Sequence, residues 1–389
     1  RPIDIIAKTN PIVIIDEPQS VEGAQTKERL KDFNPLMTLR YSATHKSDSI
    51  YNMIYRLDAM EAYNKRLVKK IAVKGITETG STATESYVYL EGLNLSKADP
   101  TATLQFDFKG ATGIRKKSMK VGIGFNLYDN SGYLDEYKNG FVVKAIDGRD
   151  DSVEFLNGIK IYAGDVIGKV SEEQLRRIQI RETILSHIQR ERELFYKGIK
   201  VLSLFFIDEV KKYRTPDGEK GIYAQMFERC YTELINSPKY ESLKEQFPAD
   251  VTTIHNGYFS QDKKGVFKDT KGDTTADYDT YNTIMKDKEW LLSYDCPLRF
   301  IFSHSALKEG WDNPNVFQIC TLIDQKNTFT CRQKVGRGLR LCVDQTGERI
   351  EDKNINILHV MANESFAEFA ETLQKEIETE TGVKFGTLQ

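Results

Sequence analysis

Two acidic residues follow an apolar run near the start of the sequence. Asp16 and Glu17 come directly after Pro11-Ile12-Val13-Ile14-Ile15, and short β-branched runs of this kind are typical of strands buried in parallel sheets. Paired carboxylates at the carboxyl end of such a strand suit nucleotide hydrolysis, because one can hold a Mg²⁺ ion through water and the other can polarise the attacking water. The alternative for this pair is an ordinary solvated strand end.

A second strand followed by two acids, Phe205-Phe206-Ile207-Asp208-Glu209, has the same composition. What distinguishes the first pair is Ser42-Ala43-Thr44, which follows another predicted strand (36–41) and begins 26 positions after Asp16. Small hydroxyl residues at that place can hydrogen-bond to the acids and link two domains mechanically. The spacing therefore favours the pair at 16–17 over the pair at 208–209.

The C-terminal half has two polar segments, each after a predicted strand: Ser-Ala-Leu-Lys-Glu-Gly-Trp-Asp at 305–312 and Gln-Lys-Val-Gly-Arg-Gly-Leu-Arg at 333–340. In the second, Gln333, Arg337 and Arg340 are spaced by four, three and seven positions, which predicts one shared helical face. Two arginines on one face can neutralise the charge that spreads over a transferring γ-phosphoryl group. The alternative is a surface arginine pair that faces solvent or carboxylates.

Two glycines flank Arg337 in this segment. Gly336 and Gly338 are unfavourable in a helix, where each costs up to ~1 kcal/mol relative to alanine. Helix stability therefore does not explain the presence of glycine at these two positions. We predict close approach of this backbone to a partner domain or to phosphate.

The length and composition of the chain predict a globular protein of two or three domains. The chain has 389 residues, of which 40% are hydrophobic and 29% charged, a balance that excludes disorder as the main state. The formal net charge of −2 excludes a uniformly basic nucleic-acid coat, although not a local basic groove. The longest apolar run, 201–207, is far shorter than the ~18 residues that cross a bilayer. Five cysteines without a Cys-x-x-Cys pair predict a reducing, cytoplasmic compartment.

Changes in composition and hydrophobic pattern along the chain predict an α/β fold in three parts. Residues 1–75 show a strand, crossover and strand, and residues 76–170 are predicted to be an all-β insertion of six to eight short strands. Residues 171–389 are predicted to form a linking helix and a second α/β unit. Ser171 and Gln174 form a capping box for that helix, which should run to about Tyr196 as a solvated amphipathic helix. Further strands are predicted over 199–207, 251–254, 298–302, 316–322 and 355–360, and a last helix over 364–379.

The predicted insertion contains four positive charges within six positions: Arg115, Lys116, Lys117 and Lys120. A solvated hairpin end explains such a cluster without any function. The alternative hypothesis is that the cluster meets DNA phosphates, whose neutralisation makes binding dependent on salt.

Taken together, four motifs resemble those of a superfamily-2 helicase: Asp-Glu-Pro-Gln at 16–19, Ser-Ala-Thr at 42–44, Leu-Lys-Glu-Gly-Trp-Asp-Asn-Pro-Asn at 307–315 and Gln-x-x-Gly-Arg-Gly-x-Arg at 333–340. A narrower resemblance comes from three segments: 306–320, Tyr-Arg-Leu-Asp-Ala at 55–59 and Gly-Tyr-Phe-Ser at 257–260. Their sequences are similar to the restriction (Res) subunit of type III restriction-modification enzymes. The resemblance covers both α/β parts, whereas over the insertion only the presence of an insertion matches.

The resemblance implies two RecA-like parallel-sheet domains, the first truncated, with the all-β insertion between them. It implies a motor that couples ATP hydrolysis to movement on double-stranded DNA, with ATP and Mg²⁺ as cofactors and a modification (methyltransferase) subunit as partner. By position, it assigns the following roles: Mg²⁺ and water handling to Asp16 and Glu17; coupling to Gln19, Ser42, Ala43 and Thr44; nucleotide and interdomain contacts to Gly310 and Asp312; and arginine fingers to Arg337 and Arg340, with Gln333 beside them.

The sequence differs from the family pattern in two respects. A phosphate-binding loop of the pattern G-x-x-x-x-G-K-[ST] should precede the acid pair. The segment most similar to this pattern is 164–170, which follows the acid pair. It is one residue shorter than the pattern and lacks the final Ser or Thr. The family's nuclease residues are also absent, so we expect a piece of a longer protein that is inactive alone. Two alternatives remain: another superfamily-2 helicase, acting in repair or on RNA, or a non-catalytic DNA-binding scaffold with a helicase fold.

Overall fold

The structure is a computed structural model. It describes residues 1–16, 18, 23–42, 52–57, 59–75, 86–95, 99–168, 170–215, 217–237, 240, 246–247, 250–259, 284, 287–304, 313–323 and 335–362. The chain divides into two compact units, Arg1–Lys65 and Arg66–Gln389. The predicted helix over 364–379 lies outside the described residues.

The first unit contains a parallel strand pair with a helical crossover. Its elements are α1 (Pro2–Ala7), β1 (Ile12–Asp16), α2 (Ala24–Lys31), β2 (Met37–Tyr41) and α3 (Ala59–Asn64). β1 and β2 pair in parallel, as the sequence predicts. The expected burial of β1 is wrong, however, because Ile12 is 55% and Ile14 66% exposed. The described residues of this unit form a sheet of only two strands, in which Ile12 and Ile14 are exposed and Val13 and Ile15 half-buried.

The second unit contains a parallel sheet interrupted by an antiparallel insertion. Its helices and strands, in chain order, are β3 (Lys70–Gly75), β4 (Val88–Asn94), β5 (Thr101–Gly110), β6 (Gly113–Val121), α4 (Leu127–Asn130), β7 (Val143–Asp147), β8 (Ser152–Phe155), β9 (Lys160–Tyr162), β10 (Val166–Ile167), α5 (Glu172–Leu194), β11 (Leu202–Phe206), α6 (Ile222–Ile235), β12 (His255–Tyr258), α7 (Lys288–Leu292), β13 (Phe300–Ser303), β14 (Val316–Thr321) and β15 (Ile357–Ala362).

Six of these strands form a parallel sheet in the order β12-β13-β11-β14-β15-β3. One face packs against α5 and α6 through residues such as Ile184, Phe227 and Phe300. The opposite face packs against α7 and the segment that begins at Val335. Every residue of β11 and β13 is buried, as parallel strands covered on two sides should be.

The pairing of β3 corrects one predicted boundary. The sequence division assigns residues up to 75 to the first α/β part, but Lys70–Gly75 pairs with Ile357–Ala362 and so belongs to the C-terminal sheet. The partner of a strand is set by the tertiary structure and not by its position in the sequence. Local composition therefore could not show that β3 pairs with β15.

A second correction concerns the strand predicted at 251–254. Those residues form turns, in which the Asp250 carboxylate accepts hydrogen bonds from the backbone N–H and hydroxyl of Thr252. An Asp side chain that bonds the backbone two residues later favours a turn over a strand. The edge strand begins instead at His255.

The described part of the insertion contains seven strands, within the predicted six to eight, and one short α-helix, α4. The strands form two antiparallel sheets, in the orders β10-β4-β5-β6 and β7-β8-β9, around a shared core that includes Leu104, Phe106 and Phe155. Tyr87, Tyr89 and Phe106 are buried, as expected for core residues, whereas Phe108 is half-buried.

The capping box at the start of α5 is confirmed. The Ser171 hydroxyl accepts from the Gln174 N–H, and the Gln174 side chain accepts from the Ser171 N–H. The prediction of a solvated helix is wrong, since Arg176, Glu182, His187 and Glu191 are buried. Glu182 accepts hydrogen bonds from Lys74 of β3 and from the Tyr89 hydroxyl of β4, so buried polar contacts connect the helix to the sheet and to the insertion.

Four cysteines of the described residues, Cys230, Cys296, Cys320 and Cys342, are buried and free. In the part of the chain that the structure describes, no helix is both long and apolar enough to cross a membrane.

Candidate nucleotide-hydrolysis site

Asp16 and Ser42 lie at the same edge of the first unit's strand pair. The parallel register places Asp16 opposite Tyr41, and Ser42 is the next residue after Tyr41. Asp16 is the last residue of β1 and is exposed. The arrangement is the one that the sequence predicts, because the carboxyl ends of parallel strands meet at one edge of a sheet.

Asp16 fits a role in holding Mg²⁺ through water, because Mg²⁺ prefers carboxylate oxygen and keeps most of its water ligands. Within the described ranges, no cluster of three His, Cys, Asp or Glu side chains could hold a metal by itself. The other predicted residues of this edge, Glu17, Gln19, Ala43 and Thr44, lie outside the described residues, as do Gly310, Asp312 and Gln333.

The second pair of acids is engaged locally. The Asp208 carboxylate, just after β11, accepts from the Lys212 ammonium and from the Tyr223 hydroxyl. Glu209 forms an ion pair with Lys211 at 2.5 Å, and this contact holds the pKa of the Glu209 carboxyl below its usual range. Side chains that are already paired with neighbouring lysines are poorly placed to handle a water or a metal, which supports the choice of Asp16.

The arginine segment, defined here as 335–340, is not a continuous helix. Val335 and Gly336 are helical, Arg337 and Gly338 form a turn, and Arg340 makes an isolated antiparallel bridge with Val68. The prediction that Arg337 and Arg340 share one helical face is therefore wrong. Arg337 is half-buried, and Arg340 is exposed.

The backbone at Gly338 lies close to the sheet. A Cβ at this position would lie 2.7 Å from a Leu358 methyl and 3.2 Å from a Val316 methyl, so the turn packs directly on the sheet. A close approach is thus present at Gly338, but the predicted partner is wrong: the backbone meets the sheet of its own unit and not a partner domain or phosphate. A Cβ at Gly336, in contrast, would meet only open space.

A buried lysine that sequence reasoning missed contacts the same turn. Lys69 is 1% exposed, and its ammonium donates to the carbonyls of Pro314, Val316 and Gly338. No motif marks it, because a single lysine before an apolar strand carries no signal of burial. Burial lowers the pKa of Lys69 to about 7.

Sequence reasoning also missed a buried polar network beneath α5. The His187 ring lies between Ser203 Oγ and Glu191 Oε2, at 2.8 Å from each, and Arg299 Nε donates to the other Glu191 oxygen at 2.9 Å. Burial lowers the pKa of His187. Although burial acts to raise the pKa of Glu191, the Arg299 guanidinium and the His187 contact together hold it below its usual range.

This Ser-His-Glu arrangement resembles a catalytic relay in composition only. His187, Glu191 and Ser203 are each 0% exposed, so no substrate can reach the hydroxyl. We interpret the network as structural, since it joins α5 to β11 and β13.

The four basic residues of the insertion do not form one patch. They lie on β6, where successive side chains point to opposite faces of the sheet. Arg115 and Lys117 lie over the Phe108 ring, at 5.9 and 4.7 Å from its centroid. Lys116, on the other face, forms an ion pair with Asp107 at 3.0 Å and lies over the Tyr87 ring.

The fold and these sites define an α/β protein in which motif-bearing segments follow parallel strands. Comparison with known proteins narrows this class. The chain is 34% identical over 368 residues to the Res subunit of the type III restriction-modification enzyme EcoP15I of Escherichia coli. It is 33% identical over 367 residues to the EcoPI Res subunit of Escherichia phage P1. Each alignment covers 92% of this chain and 35% of the relative, so the chain spans about a third of the length of these curated relatives.

The resemblance to Res subunits of type III restriction-modification enzymes is therefore confirmed over 92% of the chain. No protein-family model matches the chain. Among solved structures, an ATP-dependent Type ISP restriction-modification enzyme, LlaBIII bound to DNA, is similar with 12% identity and a TM-score of 0.38, over 97% of this chain and 20% of that chain. A likeness of this size carries no argument about the fold.

Proposed function

We propose that this chain is the motor part of a type III restriction subunit, which hydrolyses ATP with Mg²⁺ and thereby moves on double-stranded DNA before cleavage by a nuclease domain elsewhere in the protein. The observation that carries the proposal is the sequence relationship to Res subunits over 92% of the chain. Sequence recognition would belong to a modification (methyltransferase) subunit.

In this proposal Asp16 and Glu17 bind Mg²⁺ and polarise the attacking water, and Arg337 and Arg340 neutralise charge on the transferring phosphoryl group. ATP and Mg²⁺ would supply the phosphoryl group and its charge compensation. Support comes from the shared edge of Asp16 and Ser42 and from the local pairing of Asp208 and Glu209, which leaves one acid pair for this role.

The test compares two aspartates that follow apolar strands. In the full-length protein, Asp16→Asn should lower DNA-stimulated ATP turnover by at least ~10²-fold, because a neutral amide is a poor partner for the hydrated cation. Asp208→Asn is the matched control and should leave turnover within about threefold of wild type, since Asp208 is engaged with Lys212 and Tyr223.

Equal, measurable turnover in wild type and Asp16→Asn would contradict the role proposed for Asp16. The absence of DNA-stimulated turnover in the wild type would favour a non-catalytic DNA-binding scaffold. Loss of turnover only in Asp208→Asn would instead assign the chemistry to the second acid pair. Duplex-stimulated hydrolysis distinguishes a DNA motor from a helicase that acts on RNA.

A further inference from the structure

Two motif-bearing segments meet at one buried ammonium group. Lys69 Nζ donates to the Pro314 carbonyl at 2.5 Å and to the Val316 carbonyl at 2.8 Å, both directly after the motif at 305–312. It also donates to the Gly338 carbonyl of the arginine segment at 3.2 Å. An ammonium has three N–H donors, so these three carbonyls use all of them.

The backbone next to this ammonium holds the rest of the arginine segment. The Lys69 N–H donates to the Leu339 carbonyl at 2.8 Å, and Val68 bridges Arg340. Three consecutive residues, 338 to 340, are therefore bound by two, Val68 and Lys69. The adjoining Gly338 turn rests on Val316 and Leu358 without room for a Cβ.

We propose that Lys69 is a positioning residue for ATP hydrolysis, which sets the place of Arg340 by joining the arginine segment to the strand that follows the 305–312 motif. The inference rests on the proposed function, because it requires Arg340 to act on the phosphoryl group. It adds a residue outside the helicase motifs. Misplacing a group in a transition-state site by about 1 Å can lower a rate ~10²-fold, so a loosened segment should lower turnover without removing any group that touches ATP.

A second lysine of the same unit provides a matched control. Lys200 is also buried, and its ammonium donates to three carbonyls, those of Leu291, Ser293 and Cys296, at 2.7–2.8 Å. Burial lowers the pKa of Lys200 to about 7, as it does that of Lys69. The two lysines therefore have the same chemistry, but only Lys69 contacts the arginine segment.

The experiment measures kcat and KM for DNA-stimulated ATP hydrolysis in the full-length protein carrying Lys69→Met, Lys200→Met, Arg340→Ala or the Lys69→Met/Arg340→Ala pair. We expect Lys69→Met to lower kcat by ~10²-fold and to change KM by less than about threefold. Lys200→Met should lower the unfolding temperature to a similar extent yet keep kcat within about threefold. In the Arg340→Ala background, Lys69→Met should cause little further loss, because two residues that act as one unit are not additive.

Equal losses of kcat in the two lysine variants, or full additivity with Arg340→Ala, would overturn the inference and leave Lys69 with a structural role. If Arg340→Ala lowers kcat and Lys69→Met does not, only the inference fails. If Arg340→Ala has no effect, the proposed role of the arginines fails as well. Should Lys69→Met not fold, Lys69→Gln, which keeps two N–H donors, gives the same comparison with Lys200→Gln.

Discussion

The two faces of the six-stranded sheet are covered in different ways. One face carries two long regular helices, α5 with 23 residues and α6 with 14. Some of the charged side chains on α5 are buried and paired, as Glu191 is with Arg299. Among the described residues, the opposite face carries the five-residue helix α7 and the arginine segment, in which Arg340 is exposed. Buried charge pairs such as Glu191 and Arg299 stabilise the fold beneath regular helices, whereas Arg340 lies at the surface on an irregular segment anchored to the sheet.

The largest expected effect is on catalysis, and it concerns Arg340 on the face that carries the arginine segment. Arg340→Ala in the full-length protein should lower kcat for ATP hydrolysis by ~10³-fold or more, because an arginine finger acts on charge that develops in the transition state. The affinity for ATP should change far less, since little of that charge exists in the ground state. Turnover and nucleotide binding, measured separately, test this expectation.

Arg349→Ala is the control for that variant. Arg349 is likewise exposed and takes part in an isolated antiparallel bridge, with Val343, but it lies outside the predicted motifs. It should keep turnover near that of wild type. A loss of ATP binding with unchanged kcat in Arg340→Ala would make Arg340 a ground-state anchor and weaken the contrast between the two faces.

On the helical face the expected effect is on stability. Arg299→Met removes the cation from Glu191, which is 0% exposed, and an unpaired buried charge typically costs about 3–5 kcal/mol. We expect a lower unfolding temperature and faster hydrogen exchange across residues 172–194, with no specific change in ATP affinity. The double variant Glu191→Gln/Arg299→Met should lose less stability than Arg299→Met, because it leaves no charge uncompensated. Equal losses would show that packing, and not charge pairing, accounts for the contribution of Arg299.

Periodicity and turn chemistry predict much of this fold. The β1–α2–β2 crossover, the seven-stranded insertion and the capping box of α5 follow from short-range signals: β-branched runs, Asn-Gly turns and a Ser-x-x-Gln spacing. The strand predicted at 251–254 is wrong because an Asp side chain favours a turn there. The partner of β3 escapes prediction because pairing between residues 70–75 and 357–362 leaves no local mark.

The candidate site is only partly predictable for the same reason. Strand ends indicate Asp16 and Ser42, and glycine spacing indicates the close approach at Gly338. Helical spacing fails at Arg337 and Arg340, where the chain forms a turn whose contacts, with Lys69 and Leu358, come from residues distant in sequence. Buried charges such as Glu191 are easily mistaken for solvated ones, because a long helix with many charges is usually exposed.

The smallest expected effect extends the comparison of faces to the insertion. Lys116 is engaged with Asp107 and Tyr87, whereas Arg115 and Lys117 lie on the other face, around Phe108. If the Phe108 face meets DNA phosphates, Arg115→Ala/Lys117→Ala should reduce the slope of log affinity against log salt by up to ~1.8, at ~0.9 for each neutralised phosphate. Lys116→Ala should leave the slope unchanged, and Lys120→Ala reports on the remaining charge of its own face. Duplex binding by the full-length protein across a salt series measures these slopes. A slope that stays the same in every variant would make the cluster an ordinary solvated surface, and an equal reduction from Lys116→Ala would show that the ion pair with Asp107 opens on DNA.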